Sequence, residues 1–519
     1  AIPGAIAFVQ TGIKGTTALT PRPTSLRSLD PAAIDTVRQA QGQKRKRSLN
    51  RAPGCILQCV EAAATGNFAD GLVIEARLFS ELLASEASQG LRHAFFGQRQ
   101  VAIIPGMPES IKPQSIAKTA VAGAGLMGTG IALTLLNAGL PVTLVEPRTE
   151  ALDKAGASIA ASLKRDVEKG RITLDTATAR FAALECASDL AATASADLII
   201  EAVFEDINVK RQVFAALDAA AKPSAILASN TSTLPLDVIA GFTKRPGQVV
   251  GLHFFSPANI MRLVEIVRGA ETELQVLATA MEFVKRLGKV GVVAGVCDGF
   301  IGNRIFEEYL RQVYQLLEEG ALPQQIDTAL ENWGMAMGPL RTMDLAGQDI
   351  GWSIRQRRAA EQPGRPYSKL PDLVCELGRF GQKTGKGFYL YRDGRTAETD
   401  PDIDALVIGH SADIGMTRRS ISDDEIVSRT VLAMVNEGAR ILAEGIAYRA
   451  VDIDMIYLNG YGFPAERGGP MFYADRLGLQ NVLKTIEGYA QGSNGWSWEP
   501  APLLVALAKS KSHFGTADQ

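Results

Sequence analysis

Residues 119–146 constrain the fold more than any other stretch. An apolar run, Thr119–Ala122, enters Gly123-Ala-Gly125-Leu-Met127-Gly128; a helical pattern follows to about Asn137, and a second apolar run, Val142–Val145, ends on Glu146. The first glycine permits a tight turn, the second lets backbone approach a pyrophosphate, and the third allows close helix–strand packing, while the helix N-terminus receives negative charge. A bare GxGxxG says little. Here a strand precedes it, and an acid lies 23 residues beyond Gly123, where a carboxylate binds a ribose 2′-hydroxyl and repels a 2′-phosphate. The unit is expected to bind a dinucleotide, NAD in preference to NADP, through Gly123, Gly125, Gly128 and Glu146. Arg148 is the one residue on the other side, and a purely structural turn is the alternative.

The same rhythm continues. Short apolar runs recur at 197–202, 225–229, 249–254, 263–267 and 289–293, with helical stretches in the first several gaps. Such alternation predicts an α/β domain with a largely parallel sheet. After Asp298 strands disappear and long amphipathic helices dominate. Before Thr119 the chain reads differently. Pro21, Pro23 and the basic run Lys44–Arg47 (read as a solvated linker) precede helical patterns at Ile56–Ala64 and about Phe68–Phe96, and Pro105, Pro108 and Pro113 mark a boundary.

The helical region repeats itself. Leu317–Asp327 matches Leu442–Asp452 at an offset of 125 residues, Arg304 pairs with Arg429 at the same offset, and Gly338-Pro339 corresponds to Gly469-Pro470 after a six-residue insertion. Two copies of domain size imply duplicated helical domains rather than a solenoid. They have diverged at one place of note: Asn303 in the first is Ser428 in the second.

Composition removes several classes. With 519 residues, 54 basic and 56 acidic side chains and a net charge of −2, the chain lacks the basic excess of a dedicated nucleic-acid binder. No apolar run reaches the roughly 18 residues of a membrane span. Five cysteines make no disulfide framework; Cys55 and Cys59 could share a helix face, but without a second pair they read as apolar residues and no metal site is expected. The N-terminus reads as neither signal nor transit peptide and the C-terminus as no address, which fits a reducing interior compartment, the cytoplasm first, with the peroxisome or mitochondrial matrix open.

His253 ends an apolar strand pattern, VVGLHFF, and is followed by Ser256-Pro257. Ligands of parallel sheets sit beyond carboxyl ends of strands, although a strand histidine is ordinarily a satisfied core residue. Glu265 changes that reading. It lies in a second apolar run, LVEIV, and a buried carboxylate needs a partner. Paired with His253 it would fix the imidazole tautomer and build a general base; bonding to backbone or to Arg262 is the alternative. Ser229-Asn230-Thr231-Ser232 reads equally well as a helix cap or as part of a substrate site, and Asn303 is ambiguous by itself.

The stretches GAGLMGTGIA (123–132), EAVFEDINVK (201–210), ASNTSTLP (228–235), GLHFFSPANIMRLVEIVRG (251–269), DGFIGNR (298–304) and GRFGQKTGKGFY (378–389) together resemble the L-3-hydroxyacyl-CoA dehydrogenase family, in particular the dehydrogenase part of multifunctional fatty-acid β-oxidation enzymes. The resemblance covers about residues 113–519. It implies a Rossmann-like NAD-binding domain (113–296) followed by two duplicated all-α domains (297–410 and 411–519), after a helical linker-like segment (1–112). It implies His253 as catalytic base with Glu265 as its partner, Ser232 and Asn303 beside the reacting hydroxyl, and Met127, Glu146, Glu205, Lys210 and Ser232 at NAD. Many members have Asn where this chain has Ser256, a position that the resemblance places at the cofactor. The implied reaction is NAD-dependent oxidation of an L-3-hydroxyacyl-CoA to the 3-ketoacyl-CoA. A non-catalytic cofactor-binding relative and a dehydrogenase of another β-hydroxy acid are the other readings. No enoyl-CoA hydratase activity is expected of these residues, and a thiolase or hydratase partner is compatible with the sequence but not shown by it.

Overall fold

The computed structural model describes residues 34–39, 49–364, 366–492 and 494–517. Pro21, Pro23 and the basic run Lys44–Arg47 lie outside them. The chain divides into two compact units, residues 1–88 and 89–519.

In the first unit, α1 (Ala52–Thr65) has proline in its first turn and α2 (Phe68–Ala84) is capped by Asn67, whose side chain accepts from the Asp70 N–H at 2.9 Å. The single helix expected over Phe68–Phe96 is two. Ser85 is extended, with ψ 152°, and its hydroxyl accepts from the Ser88 N–H, so α2 stops and α3 (Glu86–Gln100) begins. A local serine-to-backbone bond here outweighs a continuing apolar period.

The second unit contains eight strands: β1 (Thr119–Ala122), β2 (Val142–Val145), β3 (Leu184–Ala187), β4 (Leu198–Glu201), β5 (Ile226–Ser229), β6 (Val249–Phe254), β7 (Leu263–Val267) and β8 (Val290–Ala294). Their order is β3-β2-β1-β4-β5-β6-β7-β8, parallel throughout except that β6 pairs antiparallel with β7. β1, β4, β5, β6, β7 and β8 are buried over their whole length, which explains their unbroken apolar runs. β3 gave no signal in the sequence because it is an edge strand with Glu185 and Cys186 exposed. The chain reverses its direction across the sheet at β1 and β4, and a crevice outside such a switch point is where an α/β sheet holds ligands. The glycine turn after β1 leads into α4 (Leu126–Asn137) at that crevice.

The two helical copies begin with α5 (Gly302–Glu319), α6 (Pro323–Trp333) and α7 (Pro339–Ala346), and with α8 (Asp423–Ala443), α9 (Ala450–Gly460) and α10 (Pro470–Leu477). They pack on one another reciprocally. Arg304 of the first reaches Glu437 (2.6 Å) and Glu444 (2.5 Å) of the second; Arg429 of the second reaches Gln312 (3.1 Å) and Glu319 (2.7 Å) of the first. Arg304 and Arg429, Gln312 and Glu437, and Glu319 and Glu444 are equivalent pairs at the 125-residue offset. The two copies therefore meet as the halves of a two-fold dimer do, each offering the same patch.

Beyond these first helices the repeat register needs correction. Asp327 accepts from the N–H groups of Leu340 and Arg341 at the start of α7, and the same part is played by Asp454, which accepts from Met471 and Phe472 at the start of α10. Asp452 instead pairs with Arg449. A two-residue insertion precedes α9, so the counterpart of Asp327 is Asp454 rather than Asp452. A third donor completes each carboxylate: the Tyr389 hydroxyl for Asp327 (2.9 Å) and His93 Nε2 of α3 for Asp454 (2.8 Å). α3 approaches the second copy closely because its Gly90 and Gly97 lie at the contact; a Cβ there would lie 2.3 Å from the Glu466 carbonyl and 2.7 Å from the Met455 methyl.

Asp327→Ala and Asp454→Ala each strand two helix-start N–H groups, one buried and one part-buried, and should each cost about 1–3 kcal/mol of stability. Denaturant titration checks this, and equal losses are expected if the two copies are built alike.

Candidate active site

The three glycines of the turn have separable jobs. Gly123 has φ 108°, in the region that favours glycine, and a Cβ on it would lie 2.6 Å from the Ala202 carbonyl at the end of β4. A Cβ on Gly128 would lie 1.8 Å from the Gly123 carbonyl, so α4 can sit on the turn only without a side chain there. Gly125 differs: its Cβ would meet nothing. Open space at Gly125 adjoins the first turn of α4, whose helical bonding begins with the Thr129 N–H to the Gly125 carbonyl, so the N–H groups before it remain to receive a pyrophosphate. Met127 is half-buried in that turn.

Glu146 follows β2 and is buried. One oxygen accepts from the Ala124 N–H (3.3 Å) and the other from Arg148 Nε (2.8 Å). Burial pushes this carboxyl up, but those donors outweigh it and hold it below the ordinary glutamate range. The residues fit a dinucleotide: an open glycine, free N–H groups and an ionised carboxylate at the end of the next strand. Arg148, the one residue that favoured a 2′-phosphate, is committed to Glu146.

His253 and Glu265 face each other directly across the antiparallel β6–β7 pair. The imidazole Nδ1–H donates to Glu265 Oε2 at 2.7 Å, and the other carboxylate oxygen accepts from the N–H groups of Ile301 (3.1 Å) and Gly302 (2.9 Å) at the start of α5. Glu265 is fully buried. Arg262 does not share it, donating instead to Gln98. With Nδ1 held by a carboxylate, Nε2 is left as the basic nitrogen. Phe255 and Phe300 wall the ring, with centroids 4.5 and 5.8 Å away, and Phe300 adopts φ 48°, a costly conformation that recurs where side chains must be aimed.

The segment after β5 caps no helix; the next one, Leu236–Ala240, has Pro235 at its N-cap and no side-chain cap. Instead Glu205 organises it. Its Oε1 accepts from the Thr231 hydroxyl (2.6 Å) and the N–H groups of Ser232 (2.8 Å) and Thr233 (3.1 Å). Burial raises Glu205, but Lys210 and these donors bring it below its ordinary range. Lys210 is buried and bridges Glu201 (2.7 Å) and Glu205 (3.2 Å), while Glu201 also accepts from the Ser229 hydroxyl. Ser256 is exposed on the loop joining β6 to β7. Lys289 anchors that loop by donating to the carbonyls of Ala258 (2.7 Å) and Met261 (2.6 Å), and burial lowers its ammonium to about 8.

Ser232 and Asn303 line one cavity of about 450 Å³ that continues along α5 past Phe306, Leu310 and Tyr314. Two further residues tie the site together, one of them without any signal in the sequence. Asn230 accepts from the Phe254 N–H (2.9 Å) and so ties β5 to the strand carrying His253; it lay inside a polar cluster already singled out. Tyr461 donates to the Asn303 side-chain oxygen (2.7 Å) from the other helical copy, with no local signal to reveal it. Among the described residues no group of three or more metal-ligating side chains is assembled, and Cys55 and Cys59 are free.

This arrangement defines an NAD-binding dehydrogenase built on a doubly wound sheet with duplicated helical domains. The description "3-hydroxyacyl-CoA dehydrogenase, NAD binding domain" matches residues 118–297, and the C-terminal domain of the same family matches twice, at 299–391 and 426–518. The chain is 42% identical over 502 residues to the peroxisomal bifunctional enzyme of Danio rerio, covering 92% of this chain and 68% of that protein. It is 38% identical over 480 residues to the human enzyme of that name, covering 88% and 66%. Among solved structures, 3-hydroxybutyryl-CoA dehydrogenase from Escherichia coli superposes with a TM-score of 0.68 at 29% identity, covering 77% of this chain and 99% of that one. The dehydrogenase part of multifunctional enzyme 1 from C. elegans gives 0.60 at 28% identity, covering 80% and 96%. The chain belongs to the 3-hydroxyacyl-CoA dehydrogenase family, its cofactor is NAD, and it spans about two thirds of the length of the curated relatives it matches.

Gly125→Ala should fold as the wild type does yet bind NADH more weakly, because its methyl group meets only the dinucleotide. Gly128→Ala should lose about 1–3 kcal/mol of stability by overpacking. Fluorescence titration with NADH beside thermal unfolding separates the two.

Proposed function

We propose that this chain oxidises L-3-hydroxyacyl-CoA to 3-ketoacyl-CoA with NAD, His253 acting as general base. The observation that carries this reading is the buried His253–Glu265 pair, with Nδ1 held by the carboxylate and Nε2 left to accept a proton. Nε2 takes the proton of the C3 hydroxyl, and Glu265 stabilises the imidazolium that results. Bound NAD supplies the acceptor for the C3 hydride. Ser232, fixed through its backbone by Glu205, and Asn303 orient the hydroxyl, a positioning role that can supply much of the acceleration. The apolar cavity along α5 takes the acyl chain. Gly123, Gly125, Met127, Gly128 and Glu146 hold the dinucleotide, with Ser256 at its edge, and Glu205 meets its nicotinamide end. Lys210, buried beneath Glu205, serves the cofactor by holding that carboxylate in place. Residues 113–296, 297–410 and 411–519 are the working domains, after a linker-like segment, 1–112.

The chemistry calls for an enoyl-CoA hydratase to supply the hydroxyl and a thiolase to consume the ketone. Relatives named peroxisomal or glyoxysomal make the peroxisome the preferred compartment over the cytoplasm. No helix among the described residues is long and apolar enough to cross a membrane.

His253→Ala should lower kcat at least about 100-fold, the lower end of general-base contributions, while leaving NADH binding intact. The assay is reduction of acetoacetyl-CoA by NADH, and retention of a tenth of kcat would refute the assignment.

We further propose that residues 1–519 do not hydrate 2-enoyl-CoA, since that reaction needs activating carboxylates and paired donors for an enolate oxygen. Crotonyl-CoA without NAD should keep its conjugated thioester absorbance, and sustained turnover would contradict this.

A further inference from the structure

Asn303 lies in the first turn of α5, and its side-chain oxygen accepts from the Tyr461 hydroxyl at 2.7 Å. Tyr461 follows α9, in the other helical copy. Its ring is fixed on several sides: stacked on Tyr457 at 4.8 Å, edge-on to Phe255 at 5.5 Å and against Phe306 at 5.3 Å. Tyr457 in turn donates to the Gly302 carbonyl, and a Cβ on Gly302 would lie 2.6 Å from the Tyr461 oxygen. The glycine leaves room for the phenol.

Burial and the nearby charge of Glu265 hold the Tyr461 hydroxyl well above its ordinary pKa, so it stays protonated and must give its proton to an acceptor. Among the described residues that acceptor is the Asn303 oxygen. An amide whose oxygen is held on the phenol has its orientation fixed, with its two N–H donors turned away from Tyr461.

We propose that Tyr461 is a positioning residue: it locks the Asn303 amide with its N–H groups toward the C3 oxygen of the substrate, so that the second helical copy completes the active site of the first. The inference rests on the reading of Asn303 as a substrate-facing group. Divergence of the copies fits it. At the repeat offsets the counterpart of Asn303 is Ser428 and the counterpart of Tyr461 is Gly334, so one copy keeps the amide and the other keeps the phenol that orients it. Ser428 is itself bonded to a different tyrosine hydroxyl, that of Tyr489, at 2.9 Å.

Tyr461→Phe should lower kcat/KM for acetoacetyl-CoA reduction by about 5- to 150-fold, the range for a lost hydrogen bond that leaves its partner unsatisfied, chiefly through kcat and with NADH affinity unchanged. In an Asn303→Ala background the same substitution should cause no further loss, which a merely structural role would not predict. Tyr489→Phe, which removes a hydroxyl at the matching place in the other copy, should leave kcat/KM within about twofold. Gly302→Ala, whose methyl group displaces the phenol, should reproduce the Tyr461→Phe signature by an independent route. The proposal is overturned if Tyr461→Phe and Gly302→Ala stay within about twofold of wild type, or if the Tyr461→Phe loss persists in full in the Asn303→Ala background. Failure of the underlying reading looks different: Asn303→Ala and His253→Ala would themselves keep wild-type turnover.

Discussion

The Glu265 carboxylate is the joint on which the molecule turns. One oxygen receives the imidazole of His253 across the sheet, and the other receives two N–H groups from the first turn of α5. A fully buried carboxylate is tolerated only when its charge and lone pairs are answered, and here the partial positive charge of a helix N-terminus joins the imidazole. A single side chain thus sets the tautomer of the imidazole proposed as the base and fastens the helix carrying Asn303 to the strand carrying His253. Leaving a buried ionised group without its partner costs about 3–5 kcal/mol in such settings. The chemistry and the attachment of the helical region to the sheet consequently share one interaction.

A second buried carboxylate, Glu201, does comparable work where β4 and β5 end side by side. It receives Lys210, the Ser229 hydroxyl and the Val203 N–H, while Lys210 extends to Glu205, which holds residues 231–233 by their N–H groups. Ser232 is therefore fixed by its backbone, and its hydroxyl lies 3.4 Å from the same carboxylate oxygen at the edge of the cavity. Lys210 itself is almost wholly enclosed, so a contact with NAD would pass through the carboxylate that it supports.

Duplication explains the rest of the architecture. The exchanged arginines, Arg304 to Glu444 and Arg429 to Glu319, give an interface in which each copy answers the other with the same residues. Once such copies are joined in one chain, only one must keep the amide proposed to face the substrate, and the other is free to specialise in supporting it. The helix-start carboxylates show the same division: Asp327 draws its third donor from its own copy, through Tyr389, and Asp454 draws it from α3, through His93.

The sequence by itself determined the elements whose signals are local. The glycine turn, the acid ending the next strand and the buried strands were legible because each is a short pattern imposed by backbone geometry or by burial on both faces. Pairing of His253 with Glu265 was also within reach, since an acid in an apolar strand demands a partner. Edge strand β3, the break at Ser85 and the two-residue shift that makes Asp454 the counterpart of Asp327 were not, because they depend on exposure, on one serine hydroxyl and on which carboxylate meets a helix start. Only the tertiary structure decided that Glu265 also anchors α5, that Glu205 rather than a helix organises Ser232, and that Tyr461 reaches Asn303 across 158 residues of chain. Such bonds join residues with no periodicity in common, and a sequence pattern records periodicity rather than proximity.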